Sequence, residues 1–346
     1  MRTPVSVGVV GLGGTGSLFA RAFSETPHAE LRWIADRSPG TALRAKRSFP
    51  QALVAGGLDE LLADETLDAV VITTPAVTRG AIALRALEHG KHVFVNAPMT
   101  LDGHDCDRLL STAAARDRQL HTGHPVLFHP AVRRLAALLE EGELGELFYL
   151  RSCRHGGTGS VEGVLWEHGI PAVLLVLALL GDEAIEVSCS GGSFRVGSVP
   201  DVAFCQLRFA TGIQAQITLS SLEPQEAHKL TAVGSSRMAE FDALDPREPL
   251  RLTELEGRAG DAVIPRLPAS DPVVAESEQF IATVRSRDAG RATDRLGAGV
   301  VSVVGALHKS LQRGGAGVPV GTAAEVARPT VADPLHNVHP LPVKSA

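Results

Sequence analysis

An apolar run, Val5 to Val10, ends directly on Gly-Leu-Gly-Gly-Thr-Gly, and a helical pattern from Ser17 to Phe23 follows at once. A strand that stops on this spacing and passes straight into a helix constrains the fold more than any other feature of the chain. Gly11 permits the tight turn, Gly13 lets a pyrophosphate approach the backbone, and Gly16 packs the helix on the strand. The unpaired N–H groups at the helix start, around Gly14 and Thr15, then face an anion together with the positive end of the helix dipole. A second apolar run, Leu31 to Ala35, ends at Asp36, about 20 residues beyond the last glycine, where a carboxylate accepts the ribose hydroxyls of a dinucleotide. Asp36 favours NAD because its charge repels a 2′-phosphate, whereas the neighbouring Arg37 leaves NADP open.

Strand patterns recur at Asp68–Pro75, Lys91–Asn96 and Gln119–His124, alternating with helical ones, which is the signature of a parallel sheet covered on both faces. Ligands of such sheets bind beyond the C-terminal ends of the strands. Thr73, Thr74, Pro75, Asn96 and Pro98 are therefore expected at the cofactor, with His124 close by. Beyond residue 123 the texture changes to alternating strands at Glu146–Arg154, Ala184–Ser190, Asp201–Ala210, Ile213–Ser221, His228–Gly234 and Arg237–Asp242, joined by short turns. These predict an open, mostly antiparallel sheet, with helices at Pro171–Leu180, Pro272–Ser286 and Asp294–Gln312 covering one face and a further helix at Ala131–Glu141.

The fold class expected is thus an α/β Rossmann-type dinucleotide-binding domain, residues 1–122, followed by an α+β substrate and oligomerisation domain with a large, mostly antiparallel open sheet, residues 123–325. A proline-rich tail, 326–346, completes the chain and reads as loosely held, with His336 and His339 solvated. The chain is too long for one core. A net charge of −6 without runs of like charge gives no footprint for nucleic acid or an anionic membrane, so a small molecule is the expected partner. Four cysteines without Cys-x-x-Cys spacing suggest buried thiols, no metal site and a reducing compartment. The longest apolar run, Ala172–Leu180, is too short to span a bilayer, and the N-terminus lacks a leader pattern, so a cytoplasmic protein is expected.

The order of these parts resembles the Gfo/Idh/MocA family, the glucose-fructose oxidoreductase and inositol dehydrogenase group, from Val5 to about Gly315. The resemblance is carried by GVVGLGGTG, ITTP, GKHVFV with Pro98, GELGEL at Gly142–Leu147 and VLWEHG at Val164–Gly169. The segments DVAFCQLRFATG, AVGSSRMAEFDAL and AESEQFIATVRS look like its sugar and nucleotide-sugar branch. It implies a nicotinamide cofactor between the domains, a polyol or sugar substrate against the antiparallel sheet, and a homodimer or homotetramer formed by sheets meeting face to face. It also exposes departures. Where relatives carry Glu-Lys-Pro the chain has Asn96, Ala97 and Pro98, so the lysine is missing. The position of the family's catalytic histidine holds Pro171, with Ala172 and Leu174 at nearby acidic positions. Arg79 stands where a histidine often follows the Thr-Pro turn, and Leu127 where an arginine is frequent.

Oxidising a hydroxyl needs a base, and alanine and proline supply none. His168 beside Glu167 is the expected replacement, with Glu167 holding the imidazole in its reactive tautomer. The substrate is expected to meet His124, Phe128, Arg154, His155 and Trp166 in addition to His168, partly on the loop Arg154–Gly163. The leading function is an NAD(P)-dependent oxidoreductase acting on a sugar, nucleotide sugar or cyclitol. The alternatives are a non-redox or internally recycled reaction at a held NAD, and a degenerate partner subunit of a biosynthetic enzyme such as an aminotransferase.

Overall fold

The computed structural model describes residues 3–157, 162–195, 199–255, 262–286 and 291–320. The proline-rich tail with His336 and His339 lies outside the described residues, as do residues 158–161 of the loop after Arg154.

Six strands, β1 (Val5–Val10), β2 (Ala29–Ala35), β3 (Leu53–Val54), β4 (Ala69–Ile72), β5 (His92–Asn96) and β6 (Leu120–Gly123), form one sheet. Its order is β3-β2-β1-β4-β5-β6 and every pairing is parallel. The connecting helices are α1 (Gly14–Glu25), α2 (Pro39–Ser48), α3 (Leu58–Ala63), α4 (Ala76–Glu88) and α5 (Gly103–Ala115). Full burial of β1, β4 and the middle of β5 explains why these strands read as continuous apolar runs without alternation. The chain runs outward from β1 to β2 and β3, then returns to β4 on the other side of β1. The crevice of a doubly wound sheet therefore opens where β1 and β4 end.

After a 3₁₀ turn, Pro125–Phe128, and α6 (Pro130–Glu140), the chain enters β7 (Leu147–His155). A π-helical turn, Leu165–Gly169, runs directly into α7 (Ile170–Leu180), which stops at Gly181 in the left-handed conformation, φ 59°. Strands β8 (Ala184–Gly192), β9 (Val202–Phe209), β10 (Gln214–Ser220), β11 (Ala227–Gly234), β12 (Arg237–Asp242), β13 (Leu250–Glu254) and β14 (Ala262–Val263) follow. Then come α8 (Pro272–Ser286), α9 (Arg291–Gln312) and β15 (Val318–Pro319). The second sheet has nine strands in the order β14-β13-β12-β11-β7-β10-β9-β8-β15. It is antiparallel except at its centre, where β7 and β10 run parallel. Burial alternates along β9 and the first part of β10, so one face packs on the core and the other stays open, as the sequence alternation predicts.

One helix lies elsewhere than expected. α8 does not cover the second sheet; it packs against α1 and the 3₁₀ turn, because Phe280 and Ile281 complete the core on the α1 face of the parallel sheet. There Phe94 of β5 meets Phe19, Phe23, Phe280 and His121 with ring centroids 4.9, 5.7, 5.5 and 4.9 Å away. α7 and α9 do cover the second sheet. α9 also reaches the first core through Ala298 and Val301, so it spans the junction.

Candidate active site

The turn after β1 is built around missing side chains. Gly11 adopts φ 93°, a region costly for residues with a Cβ, and its carbonyl accepts from the Thr73 hydroxyl at 2.6 Å. A Cβ on Gly16 would lie 1.9 Å from that same carbonyl oxygen, so only glycine permits α1 to pack so close to the turn. Gly13 and Gly14 are the reverse case: both are exposed, and a Cβ on either would have nothing within 4 Å. Gly13 caps α1 without a side-chain hydrogen bond, leaving the first N–H groups of the helix available to an anion. This cradle fits the pyrophosphate of a dinucleotide.

Asp36 is held by two main-chain donors, Leu12 N at 2.7 Å on Oδ2 and Ser38 N at 2.8 Å on Oδ1. Each oxygen keeps a second lone pair, so the carboxylate can both brace the glycine turn and accept from a ribose. Arg37 beside it is exposed. Thr73 uses its hydroxyl on the turn itself, and Thr74 Oγ1 accepts from Thr78 at 2.9 Å. Pro75 is the exposed N-cap of α4.

The β5 exit explains how the chain accommodates Asn96-Ala97-Pro98. Arg79, on α4, donates from Nε to the Thr74 carbonyl at 2.7 Å and from Nη1 to the carbonyls of Ala97, 2.7 Å, and Pro98, 3.1 Å. It ties the ends of β4 and β5 together, and burial lowers its pKa to about 10. Ala97 is partly buried against the core of the second sheet. A lysine there would put a second cation beside a desolvated guanidinium. We expect Ala97→Lys to leave turnover unchanged or lower, measured by dinucleotide absorbance at 340 nm; a large gain would show that lysine was all the site lacked.

The opposite wall is the π-helical turn. Trp166 packs on the cores of both sheets, so the turn lies at their junction, and Gly169 sits against Leu219 of β10. His168 is buried at 6% exposure, with Nε2 2.9 Å from the Gly156 carbonyl. A carbonyl only accepts, so Nε2 carries the proton and Nδ1 holds the lone pair of the neutral ring. Glu167 does not have the expected role. It is exposed, adjacent residues of a helix do not face each other, and among the described residues no hydrogen bond joins it to His168. The Gly156 carbonyl orients the ring instead.

Arg154 and His155 diverge, because successive side chains of a strand point to opposite faces. Arg154 lies on the covered face with Leu150 and Ser152, opposite His228 of β11. Its Nη2 donates to His228 Nδ1 across 3.5 Å. Burial, then the Arg154 charge, pushes His228 down to about pKa 4, so it is neutral near pH 7. His155 binds Glu223, Nδ1 to Oε2 2.7 Å. His228 carries no signal of its own in the sequence, where it reads as one more polar position in an alternating strand.

Two expected substrate contacts belong to the core. Phe128 is 3% exposed, with the Arg133 guanidinium 4.9 Å above its ring. His124 is also 3% exposed, and its main-chain N–H donates to Glu276 of α8, which accepts from His121 Nε2 at 3.1 Å as well. Burial, with His121 adding, pushes the His124 ring down to about pKa 3. Glu276 escapes sequence reading because it sits alone on a helix whose other buried positions are apolar or small.

A nucleotide cradle at the end of β1, facing a polar wall built on a second open sheet, narrows the ancestry, and the sequence matches decide it. Residues 5–124 match the oxidoreductase family with the NAD-binding Rossmann fold, and residues 132–240 match the GFO/IDH/MocA C-terminal domain. The chain belongs to the Gfo/Idh/MocA oxidoreductase family. It is 28% identical over 313 residues to dTDP-3,4-didehydro-2,6-dideoxy-alpha-D-glucose 3-reductase of Streptomyces violaceoruber, covering 83% of this chain and 88% of that one. It is 24% identical over 264 residues to 2,7-anhydro-N-acetylneuraminate hydratase of Escherichia coli K12, covering 72% and 70%. Among solved structures, KijD10, a 3-ketoreductase from Actinomadura kijaniata in complex with TDP-benzene and NADP, superposes with a TM-score of 0.80 at 24% identity over 90% of this chain and 98% of that one. Gfo/Idh/MocA membership accounts for the two-sheet architecture and the dinucleotide turn. No helix among the described residues is long and apolar enough to cross a membrane.

Proposed function

We propose that this Gfo/Idh/MocA protein is an NAD(P)-dependent oxidoreductase acting on a hydroxyl or ketone of a sugar, nucleotide sugar or cyclitol, with His168 in place of the family's lysine and histidine. The observation that carries the reading is the His168 ring itself: buried at the junction of the two sheets, fixed by the Gly156 carbonyl at 2.9 Å, with its lone pair left on Nδ1. The glycine turn, Asp36 and the N-terminus of α1 would hold the dinucleotide, which when bound accepts or donates the hydride. Asp36 favours NAD over NADP. His168 Nδ1 takes the hydroxyl proton during oxidation and returns it during reduction, while Nε2–H keeps the ring oriented. Exposed Tyr149 and Phe204 on the open sheet face support self-association as a homodimer or homotetramer.

The test is His168→Gln. Its amide still donates to Gly156, so the fold is kept, but it has no basic nitrogen. Assayed at 340 nm over a panel of free sugars, cyclitols and nucleotide sugars, it should lower kcat about 100-fold with NADH affinity unchanged, because a positioned base contributes 10²–10⁴-fold. Wild-type turnover by this variant would remove His168 from the role. A wild-type protein that converts a panel member without net absorbance change would favour the second reading, an internally recycled reaction at held NAD, to which the likeness to the E. coli hydratase lends support.

A further inference from the structure

We propose that the substrate carries an oxyanion, carboxylate or phosphoryl, seated on the Arg154 guanidinium; this deepens, and rests on, the reading of the His168 wall as the substrate pocket. Arg154 is on the covered face of β7, one residue from its end, and its strand partner Leu219 touches Gly169 of the π-helical turn. The guanidinium therefore shares its side of the sheet with His168, and its charge helps to keep the His228 ring neutral. Its Nε is buried and makes no hydrogen bond among the described residues. Nη2 has the neutral His228 ring at 3.5 Å, the outer limit for such a bond.

Other buried or partly buried cations differ in their partners. Arg79 donates to three carbonyls and Lys91 to the carbonyls of Asp64 and Leu67, while Arg133, whose Nε and Nη2 also make no hydrogen bond among the described residues, lies over the Phe128 ring. The His155 ring has Glu223. Arg154 has no carboxylate partner among the described residues, and burial lowers its pKa to about 10. The adjoining residues 158–161, Thr-Gly-Ser-Val, carry no carboxylate either. A partly buried charge without a counter-ion still carries a desolvation cost, and one whose buried Nε is left without a partner beside the His168 wall points to a ligand that brings the counter-ion. The edge of a guanidinium formed by Nε and one Nη matches two oxygens of a carboxylate or phosphoryl group, a fit that the hydroxyls of a neutral polyol cannot equal.

Two measurements test this without knowledge of the substrate. The Arg Nε–H resonances of the NADH-saturated protein, with Arg154 identified by its loss in Arg154→Met, are followed by NMR during titration with sodium acetate and, separately, sodium phosphate at constant ionic strength. The Arg154 resonance should shift saturably. A response to acetate points to a sugar acid, and a response to phosphate points to a phosphorylated or nucleotide-linked sugar. A resonance unmoved by both overturns the inference. In parallel, Arg154→Met should melt at or above the wild-type temperature without ligand, since it removes a partly buried charge that has no carboxylate partner among the described residues; a fall of several degrees would show that Arg154 is a structural cation and overturn it too. NADH binding is read separately by fluorescence. Its failure would sink the cofactor reading, whereas an inert Arg154 with NADH bound would sink the anion seat alone.

Discussion

Gly13→Val is expected to melt within a few degrees of the wild type and to weaken NADH binding at least about 100-fold. The two halves of this result come from one observation: a Cβ at Gly13 has nothing within 4 Å, so the protein itself does not need glycine there. The backbone at Gly13, φ −66° and ψ −168°, is also open to any L-residue. What the side chain fills is the space a pyrophosphate would occupy over the start of α1. Losing two charge-assisted hydrogen bonds of about 1.5–3 kcal/mol each accounts for a 100-fold loss or more. Gly16→Ala is the contrasting variant. Its methyl collides with the Gly11 carbonyl at 1.9 Å, so stability and binding should fall together. Titration by NADH fluorescence alongside thermal melting separates the cases, and a Gly13→Val protein that binds NADH normally would place the dinucleotide elsewhere.

The second large effect is on stability. Phe94→Ala should cost about 3–5 kcal/mol, the range for deleting a fully buried aromatic ring, and lower the melting temperature by roughly 10 °C. Phe94 is 0% exposed and touches rings from α1, β6 and α8, so the cavity is lined by elements that cannot all move inward. The same ring dictates a residue of the neighbouring strand, Gly123 opposite Asn96: a Cβ there would lie 2.7 Å from Phe94 Cε1. Gly123→Ala should therefore destabilise the wild type and be tolerated in Phe94→Ala, a coupling that a double-mutant cycle by urea denaturation measures. Additive effects, or a loss under 1 kcal/mol for Phe94→Ala, would contradict this account.

Local features were legible in the sequence wherever one residue type alone meets a local demand. The strand–glycine–helix turn was legible because sterics at Gly11 and Gly16 admit only glycine, and most strands of the second sheet were legible from alternation. Register across the sheet was not, so neither the parallel β7–β10 pair nor the meeting of Arg154 with His228 follows from pattern. The short β3, β13, β14 and β15 have too few residues to show a period. α8 has the composition of any amphipathic helix, and nothing local says that Phe280 packs with Phe23 instead of on the second sheet. The Gly156 carbonyl that holds the His168 ring was not legible, because a main-chain acceptor has no sequence signature.

The return of α8 to the parallel sheet has a consequence for how the chain is made. A ribosome releases β1 to β6 long before Phe280 and Ile281 exist, and until then the Phe19, Phe23 and Phe94 rings lack part of their cover. The two histidine contacts of Glu276 at the end of β6 are likewise missing from the nascent chain. Vectorial folding would thus leave the dinucleotide half provisional, stabilised only once the last quarter of the polypeptide emerges. A fragment ending near residue 122 should accordingly expose apolar surface and associate, whereas one joined to residues 272–286 through a flexible linker should regain much of the missing core.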